Sequence, residues 1–81
     1  MTLLSAGKAL VAGQALCNLS DRNFWVSYIA FGGTRPPDEL LAYMEGNAEW
    51  SATEHDAAAH ALNDHCQELG LGLPVPYADE F

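Results

Sequence analysis

Apolar and polar residues recur with a helical period along most of this chain, and residues 51–70 have the clearest pattern. Ser51 followed by Glu54 forms a capping box, in which each side chain bonds the backbone N–H of the other residue at a helix start. The interior is rich in alanine and contains neither glycine nor proline. Gly70 is suited to the left-handed conformation that ends many helices. Residues 51–70 are therefore predicted to form the main helix, around which the rest of the chain is organised.

This main helix is predicted to be amphipathic. At about 100° per residue, one narrow stripe carries His55, Ala59, Leu62, Cys66 and Leu69. The opposite face carries Asp56, His60, Asn63, Asp64, Gln67 and Glu68. We expect the first face to be buried and the second to contact water. Because alanine adds little volume to the buried stripe, another helix can approach it closely.

Two helices are predicted before the main one. Residues 3–19 place small and apolar side chains on one stripe: Leu3, Ala6, Leu10, Gly13 and Cys17. Ser20 can cap a second helix over residues 21–31, with Asp21 near the positive end of the helix dipole. The aromatic and β-branched residues of this run also favour a strand. Since the chain offers no other good strand as a partner, helix is the preferred interpretation of residues 21–31.

A third helix is predicted to begin at Pro37, which is tolerated in a first helical turn, and to end at Gly46 or Asn47. After the main helix, Pro74 and Pro76 prevent a helix in residues 70–81. These residues are predicted to form an extended arm with five apolar anchors, Leu71, Leu73, Val75, Tyr77 and Phe81. The arm either packs across the chain's own helices or docks on a partner or a second subunit.

Together these elements predict a single all-α domain over residues 1–81, a small four-helix bundle-like fold with an extended, proline-containing C-terminal arm. The first 19 residues lack a basic start and are interrupted by Lys8, which argues against a signal peptide or a membrane segment. Cys17 and Cys66 both lie on apolar helix stripes, so we expect two buried thiols, with a disulfide between them as the alternative. A cytoplasmic protein without membrane contact is expected.

Charge is distributed very unevenly along the chain. The 81 residues carry a net charge of −8, and the only cations are Lys8, Arg22 and Arg35. Of the 11 carboxylate side chains, all except Asp21 follow Pro36. This distribution argues against direct binding to nucleic acid, which requires a basic patch. An acidic surface suits a basic protein partner or an imitation of nucleic-acid charge.

Neither a catalytic residue nor a cofactor is predicted. His55, His60 and His65 are spaced five apart, so their rings point in three directions around a helix. Asp56, His60 and Asp64 do share a face, but a weak divalent-cation site there is only an alternative, and no metal is predicted. Adjacent His65 and Cys66 do not face each other on a helix.

The sequence therefore predicts a non-enzymatic protein–protein interaction module. It would be a small acidic regulator or inhibitor that binds a basic, nucleic-acid-handling protein through the acidic face of the main helix. The predicted contact residues combine carboxylates with aromatic anchors: Trp50, Asp56, His60, Asp64, Glu68 and Tyr77. The alternatives are a small metal- or thiol-dependent enzyme and a homodimeric structural module held by residues 24–31.

Overall fold

Four α-helices dominate the structure, a computed structural model that describes residues 3–80, with side chains from residue 6 onward. The helices are Leu3–Cys17 (α1), Asp21–Ala30 (α2), Pro37–Met44 (α3) and Ala52–Glu68 (α4), followed by a 3₁₀ turn at Ala78–Glu80. No strand occurs in residues 3–80, so the all-α prediction is confirmed and α2 is a helix. Within this part of the chain, no helix has both the length and the apolar character needed to cross a membrane.

The junction between α1 and α2 is set by local capping. Asn18 adopts a left-handed φ of 54°, and the Leu19 N–H donates back to the Gln14 carbonyl at 3.1 Å, a Schellman-type arrangement. As a result α1 ends at Cys17, two residues earlier than predicted. Ser20 Oγ then accepts a hydrogen bond from the Asn23 N–H at 3.2 Å, which confirms Ser20 as the cap of α2.

The ends of α4 agree with their sequence signals, with one exception. Ser51 Oγ accepts from the Glu54 N–H at 3.3 Å, and Gly70 adopts a φ of 78° directly after the helix. The predicted reciprocal bond from Glu54 to the Ser51 N–H is wrong. The Glu54 carboxylate instead accepts hydrogen bonds from Thr34 and Tyr28, because α2 packs against this end of α4.

The four helices pack as a closed ring. α4 contacts α1 and α2, and α3 completes the ring by contacting both of these. Two glycines let α1 approach its neighbours closely. A Cβ at Gly7 would lie 2.0 Å from the Tyr43 carbonyl oxygen of α3, and a Cβ at Gly13 would lie 2.3 Å from Val75 Cγ2 of the arm. Any side chain at either position would therefore force the packed elements apart.

An aromatic stack joins three parts of the chain inside this ring. The Trp50 ring, in the loop before α4, stacks on Tyr43 at 4.5 Å between centroids and on Tyr28 at 5.2 Å. Only 5% of Trp50 is exposed, so this residue is part of the core and does not have the exposure that an aromatic contact residue requires. The physical reason is that tyrosines from α2 and α3 both stack against its ring, which exposure to water would forfeit.

The C-terminal arm packs against its own chain, which decides between the two arrangements left open by the sequence. Asn63 Nδ2 donates to the Val75 carbonyl at 2.8 Å, and the Val75 N–H donates to Asn63 Oδ1 at 2.8 Å. Further along, His55 Nε2 lies 3.0 Å from the Pro76 carbonyl oxygen, and the Ala78 N–H donates to Asp56 Oδ1 at 2.8 Å. Four backbone groups of the arm are thus held by three side chains of α4.

Several residues of α4 and the arm differ in exposure from the sequence prediction. Asn63, assigned to the water-facing side of α4, is 1% exposed because the arm covers it. Leu69, assigned to the buried stripe, is 55% exposed because the chain turns away from the core at the end of α4. Of the arm's predicted anchors, Val75 is buried and Tyr77 half-buried, whereas Leu71 and Leu73 are exposed. Phe81 lies outside the described residues.

A polar cluster ties α2 to the start of α4. The Tyr28 hydroxyl donates to Glu54 Oε1 at 2.5 Å and accepts from the Arg35 N–H at 3.0 Å. Burial, followed by the bond to Glu54, raises the pKa of Tyr28 to about 12. Burial by itself would raise the pKa of Glu54, but the hydrogen bonds from Thr34 and Tyr28 outweigh it and lower that pKa. The carboxylate form of Glu54 is therefore the form that the fold favours.

We expect Asn63→Ala to lower the free energy of unfolding by about 3 kcal/mol, because it leaves the buried N–H and C=O of Val75 without partners. Equilibrium unfolding in urea, followed by circular dichroism, measures this change. Asn47→Ala is the matched control at an exposed position and should change the stability by less than about 0.5 kcal/mol. Equal effects of the two substitutions would contradict the role assigned to Asn63.

We expect acid to destabilise the fold partly through Glu54. Because its pKa is lowered from 4.5 in the folded state, the unfolded chain binds the proton more readily, and the stability contributed by Glu54 is lost as the pH falls below about 4.5. Glu54→Gln should cost about 1 kcal/mol at pH 7 and flatten the dependence of stability on pH in the acid range. The exposed Glu49→Gln variant should retain the wild-type pH dependence when both are unfolded in urea from pH 7 to pH 3.

Candidate partner-binding surface

A row of four polar residues follows the outer side of α4 and is called here the acidic face: Asp56, His60, Asp64 and Glu68. Their spacing of four residues places them along one side of the helix over about 18 Å. His60, Asp64 and Glu68 are exposed, whereas Asp56 is half-buried because it also holds the Ala78 N–H of the arm. Three of the four residues are thus at the surface, and the role of the face stays a prediction.

A groove adjoins the N-terminal half of the acidic face. It has a volume of about 380 Å³ and is called here the aromatic groove. It is lined by Phe31, Gly32, Thr53, Asp56, Ala57, His60 and Tyr77. The rings of Phe31 and His60 stack with 4.2 Å between centroids and an interplanar angle of 26°. The groove thus joins residues from the end of α2, from α4 and from the arm.

Three of the six predicted contact residues converge on this groove. Asp56 and His60 reach it from α4, and Tyr77 reaches it because the arm packs in cis. Asp64 and Glu68 continue along α4 beyond the groove. Phe31 was not singled out from the sequence, since it belongs to an apolar run whose exposed members only the packing of α2 reveals. Phe31 is 38% exposed.

Within residues 3–80, the carboxylates of the acidic face have no lysine or arginine partner. Among the described residues, lysine and arginine form one ion pair, between Arg35 and Glu39 at 4.0 Å. Lys8 is exposed on α1, and neither arginine lines the aromatic groove. The negative potential of this face is therefore not neutralised by the chain's own cationic side chains.

A second groove lies between α2 and α3 and contains none of the predicted contact residues. It has a volume of about 330 Å³ and a mostly apolar lining of Asp21, Arg22, Phe24, Trp25, Pro37, Leu40 and Leu41. Phe24 and Tyr28 of the apolar run 24–31 are buried in the chain's own core. For contact with another molecule, that run leaves the half-buried Trp25, which lines this groove, and the exposed Val26, Ile29 and Phe31.

Groups suited to metal binding or thiol chemistry do not gather at either groove. Within residues 3–80, no cluster of three or more histidine, cysteine, aspartate or glutamate side chains has the arrangement of a metal site. Cys17 and Cys66 are both buried, away from the surface. Burial raises the pKa of Cys17 to about 12, which leaves little of the nucleophilic thiolate at neutral pH.

Comparisons with protein families, with curated proteins and with solved structures found no match for this chain.

Proposed function

We propose that this protein is a small acidic interaction module that binds a basic segment of another protein at the acidic face and the aromatic groove. The observation that carries the proposal is the row of carboxylates without lysine or arginine partners beside a groove with aromatic walls. Opposite charge on the partner would supply long-range attraction and orientation. The aromatic groove would supply the short-range contacts that fix the partner's position.

Arginine is the partner side chain that fits this combination best. Its guanidinium group stacks on aromatic rings and pairs with carboxylates in a planar, two-pronged geometry, which lysine cannot do. In the aromatic groove a guanidinium group would meet the Phe31 ring and the Asp56 carboxylate together. Further basic residues of the partner would pair with Asp64 and Glu68 along α4.

A nucleic-acid-handling protein is the proposed class of partner. Such proteins carry basic, arginine-containing surfaces that contact phosphates, and a line of helical carboxylates can occupy that surface in place of a phosphate backbone. Binding there would make this protein a regulator or inhibitor of the partner. Two free thiols suit a reducing compartment, so we place this activity in the cytoplasm.

Removing two charges from the acidic face should weaken binding to an oligo-arginine peptide roughly tenfold, which equals about 1.4 kcal/mol. Asp64→Asn with Glu68→Gln is the informative variant, because both side chains are exposed and neither holds the arm. Glu45→Gln with Glu49→Gln removes the same charge at other exposed positions and is the matched control. Titration by isothermal calorimetry at low and high salt measures each dissociation constant.

Binding by the wild type should weaken as salt rises, because salt screens exposed opposite charges. Equal losses of affinity in the two double variants would mean that binding depends only on the net charge of the protein, and would contradict a site on α4. Binding that does not respond to salt would contradict the proposal as a whole. A pull-down from the native host with the same pair of variants then identifies the natural partner, which the acidic-face variant should fail to retain.

The aromatic groove should make the protein prefer oligo-arginine over oligo-lysine of equal length. Phe31→Leu keeps an apolar side chain but removes the ring, so we expect the preference to fall by about threefold to tenfold. Phe31→Tyr retains the ring and should keep the preference. An unchanged preference in Phe31→Leu would show that the groove takes no part in binding, while leaving the acidic face as the contact.

A further inference from the structure

Cys17, at the C-terminal end of α1, and Cys66, near the C-terminal end of α4, lie close together. Both thiols are buried, and they share one acceptor: the Gly13 carbonyl oxygen lies 2.9 Å from Cys17 Sγ and 3.9 Å from Cys66 Sγ. Cys17 Sγ also lies 3.8 Å from the Leu62 carbonyl oxygen of α4. Two cysteines that are far apart in sequence thus meet at a single point of the core.

The contact is reciprocal. Gly13 precedes Cys17 by one helical turn, and Leu62 precedes Cys66 by one turn, so each thiol reaches a carbonyl one turn before the other cysteine. Gly13 permits this approach because it has no side chain, and a Cβ there would lie 3.2 Å from Leu62 Cδ1. The two thiols therefore face each other across the α1–α4 contact.

We propose that Cys17 and Cys66 are an oxidation site, at which hydrogen peroxide converts the two thiols into a disulfide that links α1 to α4. In the first step, the thiolate of one cysteine attacks a peroxide oxygen. An S–O bond forms, the O–O bond breaks, and the departing hydroxide takes up the proton lost by that thiol and leaves as water, which gives a sulfenic acid. In the second step, the other thiolate attacks that sulfur, the S–S bond forms and the S–O bond breaks. The second hydroxide takes up the proton lost by the second thiol and leaves as water. The two thiols supply two electrons and hydrogen peroxide accepts them.

Burial makes this reaction slow in the closed fold and selects for small oxidants. Hydrogen peroxide can enter where a bulky disulfide oxidant cannot. Because burial raises the pKa of Cys17 to about 12, its thiolate is scarce at neutral pH, so the step in which Cys17 attacks should accelerate as the pH rises. In a reducing compartment the two thiols stay reduced unless hydrogen peroxide persists.

The link would join the two ends of a segment that contains α2 and α3. Closing such a long loop restricts the unfolded chain, so the oxidised protein should be the more stable form. Cys66 lies on the buried side of α4, whereas Asp64 and Glu68 are exposed. The disulfide therefore leaves the acidic face accessible, and this inference stands independently of the proposed partner.

The test treats the full chain with hydrogen peroxide and then alkylates it in denaturant. We expect a peptide pair linked through Cys17 and Cys66 with a mass lower by two hydrogen atoms, no alkylated cysteine, monomeric migration on a non-reducing gel, and an unfolding temperature higher by about 10 °C. A dithiol reductant should reverse all four changes in the same sample, so the comparison needs no variant that must fold. Cys17→Ser and Cys66→Ser serve as chemical controls, since each should gain oxygen atoms and no internal link.

Three results would overturn the proposal. The first is two alkylatable thiols after prolonged peroxide treatment, both in buffer and at a denaturant concentration that opens the native state locally. The second is oxygen added at Cys17 or Cys66, located by peptide mapping, which means that the thiols oxidise separately. The third is a disulfide-linked dimer, which means that the sulfurs pair between chains rather than across the α1–α4 contact.

Discussion

The stack of Trp50 between Tyr28 and Tyr43 is the interaction on which the rest of the fold depends. It joins α2, α3 and the loop before α4. Each tyrosine hydroxyl is also hydrogen-bonded to a side chain of α4: Tyr28 to Glu54, and Tyr43 to His55 at 2.7 Å. Aromatic burial thus fixes both the position of α4 and the partners of its first turn. In a chain of 81 residues with many alanines on its longest helix, these rings supply apolar volume that the alanines do not.

α4 serves two structural roles at once, and the division between them explains the candidate site. Its buried polar side chains, His55 and Asn63, hold the backbone of the arm, while its exposed carboxylates have no lysine or arginine partner in the part of the chain that the structure describes. Asp56 lies at the boundary and belongs to both, since it holds the Ala78 N–H and lines the aromatic groove. Loss of the arm would therefore remove one wall of the groove as well as a cover from the core.

Charge and burial also separate the two reactive features of the molecule. The acidic face is exposed and can act through long-range attraction, which salt weakens. The thiol pair is buried behind the same helix, where close packing of α1 at Gly13 brings Cys17 and Cys66 to one carbonyl group. Because the two features lie on different sides of α4, oxidation can change the stability of the protein without covering the surface proposed for binding.

Local interactions were readable from the sequence by itself: the four helices, the caps Ser20 and Ser51, the end of α4 at Gly70, and the line of carboxylates on α4. These depend on residues within a few positions of each other, and so does the helical period. Only the tertiary structure decided that Trp50 is buried, that Asn63 holds Val75, that Glu54 bonds Thr34 and Tyr28, and that Phe31 completes the groove. Each of these outcomes depends on at least one partner that lies 12 or more positions away in the chain. The helical period of a segment carries no information about which distant group will cover a given face.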